Sequence, residues 1–422
     1  MQISHDLRSR GIIDTLSHPQ IEEKLDTDFL SFYSGFDPTS ASIQIGNLFA
    51  VITMKRLQMA GHKPYILVGG ATGMIGDPSG KSAERILQSE DIIRYNVECQ
   101  RKQLERFLDF NGKNAASVVN NYDWFNNFNL LEFLRIVGKR FRITEMLAKD
   151  SVKGRMESET GISYTEFTYQ ILQAYDFAFL YRNHNVKLQI GGSDQWGNIT
   201  AGTDLIRKMY QAEAYGMTVP LVTDSSGKKF GKSEEGALYL DPKMTSPYKM
   251  YQYLLNSDDS KVITYLNYYT FLTLDEIAHL KHQTETMAHL REAQKRLACD
   301  VVKLVHGDEG FESAKRATAI FFGEKIENLS LDDLNSIFKD VPSTAVSITE
   351  LENGFDISAL LAMTPLFKSR GEARRSIAQK GVYLNNVLVE NETLSITKDQ
   401  LLEGNNLVLR KGKKNYCLIR FS

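Results

Sequence analysis

The sequence predicts an α/β fold in which strands and helices alternate around a parallel sheet. Short apolar runs that end in turns predict strands over 29–36, 64–68 and 186–190. Helical spacing of apolar residues follows the first run after Gly46, and again after the third run through about residue 210. Strands that alternate with helices indicate a parallel sheet, and ligands bind beyond the carboxyl ends of its strands. The glycine-rich turns after these runs are therefore expected to line a site.

The rest of the chain is predicted to add helices and a small terminal domain. Apolar spacing over 85–180 is mostly helical and fits an insertion between two halves of the sheet, and 245–320 is again helical. The acidic, mixed segment 323–354 is expected to be a linker. The predicted domains are a catalytic domain, a helical domain with a basic loop, the linker and a terminal domain, over 1–222, 223–322, 323–354 and 355–422.

Composition favours a cytoplasmic enzyme. The chain has 422 residues, 42% of them hydrophobic, which is enough for two or three domains with their own cores. No apolar run approaches the length of a membrane span, and the polar N-terminus does not resemble a signal peptide. The three cysteines, Cys99, Cys299 and Cys417, are isolated, so neither a disulfide framework nor a zinc site is expected.

Charge is distributed unevenly along the chain. Residues 355–422 contain eleven Lys and Arg against six Asp and Glu, a net of +5, whereas the whole chain has a net charge of −2. A basic terminal domain on an acidic body is typical of a protein whose terminal domain binds a polyanionic partner. A charged surface that only contacts solvent would have the same composition.

Two separate segments are candidates for binding phosphates. Residues 76–82 come close to a P-loop but have three residues between the glycines where four are needed, and no dinucleotide fingerprint is present. Residues 44–47 instead lie at a predicted helix N-terminus, which attracts anions. Lys229 and Lys232 lie on a glycine-bearing loop that could close over a triphosphate. The loop pattern alone is weak, but the two segments together favour ATP binding.

These two segments resemble the signature motifs of class I aminoacyl-tRNA synthetases. Gly35-Phe36-Asp37-Pro38-Thr39 with Gln44-Ile45-Gly46-Asn47 stands where the family reads His-x-Gly-His, and Lys229-Phe230-Gly231-Lys232-Ser233 where it reads Lys-Met-Ser-Lys-Ser. Segments 33–39, 68–80, 165–176 and 191–198 resemble bacterial-type tyrosyl-tRNA synthetases. The resemblance implies a Rossmann-like catalytic domain with a helical insertion, an α-helical domain and a small α+β domain of the S4 RNA-binding type.

The resemblance also implies the site residues. Those acting at the phosphates would be Gln44, Asn47, Lys81, Arg85, Lys229, Lys232 and Ser233. Those holding tyrosine would be Tyr33 and Asp176 at the phenol, Asp77, Tyr169 and Gln173 at the ammonium, and Gln195 near the carboxylate. The adenosine pocket would comprise Gly35, Asp37, Thr39, Gly46, Gly192, Asp194 and Lys232, and the RNA face Arg370, Arg374, Arg375 and Lys380.

The implied reaction forms tyrosyl-adenylate from tyrosine and ATP with Mg²⁺ and then charges tRNA(Tyr). The implied protein is a homodimer joined through the insertion, without a tightly bound metal or a membrane partner. Both histidines of the first motif are replaced, but glutamine and asparagine also donate N–H groups, so an active enzyme is expected. The alternatives are a catalytically idle paralogue, an RNA-binding protein on the same scaffold, and tryptophan activation. The last is disfavoured because an indole lacks the oxygen that Tyr33 and Asp176 would bind.

Overall fold

The computed structural model describes residues 2–80, 87–159, 161–233, 236–327, 329–339, 341–352 and 354–422. Its α-helices are α1 (Ile3–Ser9), α2 (Gln20–Thr27), α3 (Ile45–Met59), α4 (Glu90–Leu104), α5 (Tyr122–Phe125), α6 (Leu130–Ile136), α7 (Ile143–Leu147), α8 (Asp150–Met156), α9 (Tyr164–His184), α10 (Trp196–Tyr210), α11 (Pro247–Leu255), α12 (Asp259–Tyr269), α13 (Leu274–Thr286), α14 (Glu292–Phe321), α15 (Leu331–Ile337), α16 (Ile357–Ala362) and α17 (Arg370–Ala378). Helix α14 is interrupted at Gly307, where φ is 75°.

The strands are β1 (Thr15–Leu16), β2 (Ser31–Phe36), β3 (Lys63–Val68), β4 (Ser117–Asn120), β5 (Val186–Gly192), β6 (Tyr215–Val219), β7 (Lys232–Ser233), β8 (Gly236–Ala237), β9 (Ser343–Val346), β10 (Phe355–Asp356), β11 (Val382–Leu384), β12 (Val387–Leu388), β13 (Ser395–Ile396), β14 (Asn406–Lys411) and β15 (Asn415–Phe421). The three strands and two helices predicted for the sheet are thus confirmed as β2, β3, β5, α3 and α10.

A six-stranded sheet in the described residues has the order β1-β6-β5-β2-β3-β4. Every neighbouring pair is parallel except β1 with β6. The chain builds outward from β2 through β3 to β4, and then returns to the other side of β2 with β5 and β6. This reversal opens a crevice between the carboxyl ends of β2 and β5, which is where open α/β sheets bind ligands.

Helix α9 crosses this crevice and presents three polar side chains to it. Tyr169, Gln173 and Asp176 are spaced four and three residues apart, so they lie on one face of the helix. The start of the helix is fixed because the Ser163 hydroxyl accepts a hydrogen bond from the Glu166 backbone N–H at 3.2 Å. The Glu166 side chain pairs with Arg155 of α8 at 2.9 Å, and both are almost completely buried. Removing either partner would leave a buried charge, so the pair holds α8 and the start of α9 together.

The chain forms two compact units, Met1–Met244 with Ser257–Leu297 and Thr245–Asn256 with Ala298–Ser422. In the second, a five-stranded sheet has the order β12-β11-β14-β15-β9. The apolar faces of α16 and α17 pack in one core with this sheet through residues such as Leu360, Ile377 and Leu409.

The predicted domain boundaries remain a prediction, but two segments differ from what was expected of them. The expected linker contains α15 and also β9, which pairs with β15 in parallel, because its backbone completes the edge of the second sheet. The expected insertion contributes β4 to the first sheet as well as its helices. No helix in the described ranges is long and apolar enough to cross a membrane.

Candidate active site

A cavity of about 320 Å³ opens at the carboxyl ends of β2 and β5. It brings together most of the residues that the sequence predicted for a site. The lining includes Tyr33, Gly35, Asp37, Thr39, Gln44, Gly46, Asn47, Asp77, Tyr169, Gln173, Asp176, Gly192, Asp194, Gln195, Lys229 and Lys232. Lys81 and Arg85 lie outside the described residues, and only the backbone of Ser233 is described, in β7.

The deep end of the cavity carries a phenol beside a carboxyl group. Tyr33 is 1% exposed, and its hydroxyl has no hydrogen-bond partner among the described residues. Asp176 accepts hydrogen bonds from Asn121 Nδ2 at 3.0 Å and from Trp124 Nε1 at 2.9 Å. An unpaired buried hydroxyl is costly, so this end is prepared for a ligand that carries its own hydroxyl.

Burial dominates the protonation of Asp176. Loss of water raises its pKa to about 8, against the lowering effect of the hydrogen bonds from Asn121 and Trp124. Burial, followed by the nearby Asp176, also raises the pKa of Tyr33 well above its usual value. With a pKa of about 8, Asp176 keeps its proton at neutral pH.

This pKa predicts a pH dependence of stability. An unfolded aspartate loses its proton near its ordinary pKa of 3.8, whereas Asp176 in the folded protein keeps it to about 8. The folded state binds more protons in this window, so the free energy of unfolding falls as pH rises through it. Between about pH 5 and about pH 8, the contribution of Asp176 to the free energy of unfolding should fall by roughly 4 kcal/mol.

Urea unfolding of wild type and Asp176→Asn at both pH values measures this contribution. The asparagine does not titrate, so its stability should depend less steeply on pH, apart from a constant offset for the altered hydrogen bonds. Parallel pH profiles for the two proteins would contradict the raised pKa.

A second network surrounds Asp37 at the end of β2. Tyr169 donates its hydroxyl hydrogen to Asp37 Oδ2 and Thr72 donates to Asp37 Oδ1, both at 2.9 Å. Asn121 donates to Thr72 Oγ1 at 2.9 Å, so it joins this network to Asp176. Gly69 leaves room for the network, because a Cβ there would collide with Asp37 and Thr72. Tyr169 and Asp37, predicted for different substrates, are thus direct neighbours.

The loop after β3 brings a third carboxylate into the cavity. Asp77 accepts from Gln195 Nε2 at 2.7 Å and from the Ser79 backbone N–H at 3.0 Å. Gln173 of α9 lines the same wall, and its Oε1 accepts from Asn198 at 3.0 Å. This wall is rich in acceptor oxygens and therefore suits a cationic group.

The two predicted phosphate segments contact each other. Ile45 donates its backbone N–H to Leu238 at 2.9 Å, and Leu238 donates to Gly231 at 2.8 Å. Gly231 has φ of 83°, and a Cβ there would collide with Ile45. The Phe230 ring is buried and lies 4.4 Å from the ring of Tyr265, centroid to centroid. The lysine loop is thus anchored against the start of α3.

The amides of Gln44 and Asn47 are free at the cavity. Gln44 is the N-cap residue of α3, but its side chain makes no capping hydrogen bond, and Asn47 is exposed in the first turn. Neither side chain has a hydrogen bond to another described residue. Their N–H groups lie at a helix N-terminus, where the helix dipole also favours an anion.

The two lysines differ in their surroundings. Lys229 Nζ lies 3.4 Å from Asp194 Oδ2, while Lys232 is exposed at the cavity mouth. Burial raises the pKa of Asp194, and the ammonium of Lys229 opposes that shift. No group of three or more His, Cys, Asp and Glu side chains in the described part of the chain could hold a metal ion.

In the second unit, the four predicted RNA-binding residues are all exposed. Arg370, Arg374 and Arg375 lie on α17, and Lys380 follows it with φ of 56°. No ion pair joins any of them to another described residue. Helix α17 packs Ala373 and Ile377 into the core of this unit.

Sequence reasoning assigned no role to four residues of the site: Thr72, which lines the cavity, and Asn121, Trp124 and Asn198, which donate hydrogen bonds to residues that line it. Asn121 directly follows β4, so a strand prediction over 117–120 would have placed it at the same edge of the sheet. Thr72 and Asn198 lie inside two of the segments that resemble the family, 68–80 and 191–198, but no role was predicted for them. Trp124 lies in the short helix α5 and has no comparable signal.

The sheet, the crevice and the paired phosphate segments define a nucleotide-binding α/β protein. The family model described as tRNA synthetases class I (W and Y) matches residues 25–323, and that of the tyrosine–tRNA ligase SYY-like C-terminal domain matches 333–419. This chain therefore belongs to the class I (W and Y) tRNA synthetase family.

Curated relatives match the chain over its full length. A tyrosine–tRNA ligase of Streptococcus suis is 47% identical, and a tyrosine–tRNA ligase 1 of Bacillus cereus is 45% identical, each with 100% of both chains covered. Among solved structures, a C-terminally truncated mitochondrial tyrosyl-tRNA synthetase of Aspergillus nidulans is similar, with a TM-score of 0.68 and 29% identity. That match covers 75% of this chain and 93% of the other.

Proposed function

We propose that this protein activates L-tyrosine with ATP and transfers the tyrosyl group to tRNA(Tyr). The observation that carries the proposal is the buried hydroxyl of Tyr33, which has no partner among the described residues and lies beside Asp176. The same cavity contains Gln44, Asn47 and the two lysines of the phosphate segments. The relatives named tyrosine–tRNA ligase, which match the whole chain, support it.

Tyrosine would be recognised at both ends of the cavity. Its phenolic hydroxyl would accept from Tyr33 and donate to Asp176, and its ammonium would lie against Asp77, Tyr169 and Gln173. Phenylalanine would leave the buried hydroxyl of Tyr33 without a partner and would offer no hydroxyl to Asp176, which costs free energy. The same argument disfavours tryptophan.

Adenylation would then proceed by positioning and charge stabilisation. The tyrosine carboxylate attacks the α-phosphorus of ATP, the bond to the β-phosphate oxygen breaks, and pyrophosphate leaves. Gln44, Asn47, Lys229 and Lys232 would face the phosphates as negative charge moves onto the pyrophosphate. Mg²⁺ would enter with ATP as part of the substrate and neutralise phosphate charge. No side-chain nucleophile is needed.

The second step requires tRNA at the same cavity. The ribose hydroxyl of its 3′-terminal adenosine attacks the tyrosyl carbonyl, and AMP leaves. Arg370, Arg374, Arg375 and Lys380 would contact phosphates elsewhere on that tRNA. We place the reaction in the cytoplasm.

The test is tyrosine-dependent ATP–pyrophosphate exchange by the purified protein, with phenylalanine and tryptophan as controls. Exchange with tyrosine alone is expected. A folded protein that binds tRNA but catalyses no exchange would support the idle paralogue instead, and exchange with tryptophan would overturn the assignment of the phenol site.

Restoring histidine at the first signature is expected to change the rate only modestly. Gln44→His with Asn47→His exchanges one set of N–H donors for another, so kcat of exchange should stay within about tenfold. Gln44→Ala with Asn47→Ala removes the donors and should lower kcat by about ten- to a hundredfold. An alanine variant that keeps the wild-type rate would show that these amides do not contact the reacting phosphates.

Replacing both Arg374 and Arg375 by alanine is expected to weaken tRNA binding without affecting exchange. Each lost phosphate contact should reduce the slope of log K against log salt by about one. Filter binding at several salt concentrations measures this, and Arg420→Ala, an exposed arginine of β15, is the control. An unchanged slope in the double variant would place the RNA face elsewhere.

A homodimer is part of the proposal. Several large apolar side chains of the insertion are exposed in the single chain, among them Leu130 at 68%, Leu131 at 75% and Tyr164 at 76%. Contiguous exposed apolar surface is typical of regions that bury another chain. Sedimentation of the full chain tests the proposal, and a monomer at working concentration would contradict it.

A further inference from the structure

Asn198 does not line the cavity, but its side-chain amide contacts four residues of the acceptor-rich wall that do. It is 3% exposed, in the first turn of α10. Its Nδ2 lies 3.0 Å from Gln173 Oε1, 3.1 Å from Gln195 Oε1, 3.3 Å from Ser79 Oγ and 3.4 Å from Asp77 Oδ1. None of the roles described above involves this side chain.

The atoms around this amide come from three separate parts of the fold. Asp77 and Ser79 lie on the loop after β3, Gln173 lies on α9, and Gln195 lies in the turn after β5. Their oxygens carry partial or full negative charge and repel one another at short range. Two N–H groups shared among four acceptors offset that repulsion and hold the three elements together.

The same contacts fix which way the amide of Gln195 faces. Because Gln195 Oε1 accepts from Asn198, its Nε2 faces Asp77, to which it donates at 2.7 Å. Gln173 Oε1 is oriented in the same way and keeps a second lone pair for a ligand. The side chain of Asn198 thus determines the direction of polar groups that line the cavity.

We propose that Asn198 is a positioning residue for the ammonium group of the amino-acid substrate. The inference rests on the proposed function, which assigns Asp77 and Gln173 to that ammonium. Asn198 does not need to touch the substrate. It keeps Gln173, Gln195 and Asp77 converged, so that the ammonium meets acceptors already in place.

The test separates the two charged ends of tyrosine. Tyramine keeps the phenol and the ammonium but lacks the carboxylate, whereas 3-(4-hydroxyphenyl)propanoate keeps the phenol and the carboxylate but lacks the ammonium. In calorimetric titrations, Asn198→Ala is expected to raise the Kd of tyrosine and of tyramine about tenfold. The Kd of 3-(4-hydroxyphenyl)propanoate should rise less than that of tyramine, because it lacks the ammonium and only its contact with Gln195 depends on Asn198.

The control is Asn114→Ala, which removes a side-chain amide that donates only to the backbone oxygens of Gln58 and His62. It should leave the affinities of all three ligands unchanged. Asn198→Ser keeps one donor on a shorter side chain and should give a smaller loss with the same selectivity. It also provides the test if the alanine variant does not fold.

Equal weakening of tyramine and the propanoate would overturn the inference, since Asn198 would then support the whole pocket. Unchanged affinity for tyramine would overturn it as well. A different result would contradict the proposed function itself: a wild-type protein that binds neither tyrosine nor tyramine.

Discussion

Lys232→Ala is expected to lower kcat of tyrosine-dependent ATP–pyrophosphate exchange by about a hundredfold. The KM values for tyrosine and ATP should change little. Lys232 is exposed at the cavity mouth, so it has little to bind before ATP arrives. Its ammonium would interact most strongly when charge moves onto the leaving pyrophosphate, and an interaction made mainly in the transition state affects kcat.

The anchoring of the loop makes this effect specific to position 232. Phe230 is buried between Tyr265 and Tyr269, and Gly231 packs against Ile45, so the backbone that carries Lys232 is held beside the start of α3. Lys228 is exposed on the same loop but does not line the cavity. Lys228→Ala should therefore keep the wild-type kcat.

Two outcomes would contradict this argument. A higher KM for ATP with unchanged kcat would mean that Lys232 binds the ground state and the transition state equally. An equal loss in Lys228→Ala would mean that only the net charge of the loop matters.

The parallel sheet could be predicted because its signals are local. Strands β2, β3 and β5 read as short apolar runs, and the glycines after them mark turns at one edge. Strand β1 is two residues long and β9 follows an acidic segment, so neither has a pattern of its own. Both exist because their backbones pair with β6 and β15, strands that are distant in sequence.

Sequence motifs predicted which residues form the candidate site, but not how those residues are oriented. Most of the predicted residues of the first unit do line one cavity. The hydrogen bonds that orient them were not predictable, because they join residues far apart in the chain. Asn121 reaches Asp176 across 55 residues, and Gln195 reaches Asp77 across 118. Such pairs follow from strand order and helix orientation, which composition and periodicity do not specify.

Asp176→Asn is expected to lower kcat/KM for tyrosine by about a hundredfold or more. The phenolic hydroxyl would lose its hydrogen bond to the carboxyl group of Asp176 in a buried site. The substitution also disturbs the support of that acceptor, because Asn121 and Trp124 donate to its two different oxygens. An amide has one oxygen, so one of these buried donors would face an N–H group.

Discrimination against phenylalanine should shrink in the same variant. In the wild type, tyrosine pairs with both Tyr33 and Asp176, whereas phenylalanine has no hydroxyl to offer either of them. The value of kcat/KM should therefore fall more for tyrosine than for phenylalanine when Asp176 is replaced by asparagine. Exchange assays with both amino acids measure the ratio, and Asp204→Asn is the control, since Asp204 pairs with Lys208 outside the cavity. Equal loss of activity with tyrosine and with phenylalanine would show that Asp176 supports the pocket as a whole. Tyr33 alone would then recognise the phenol.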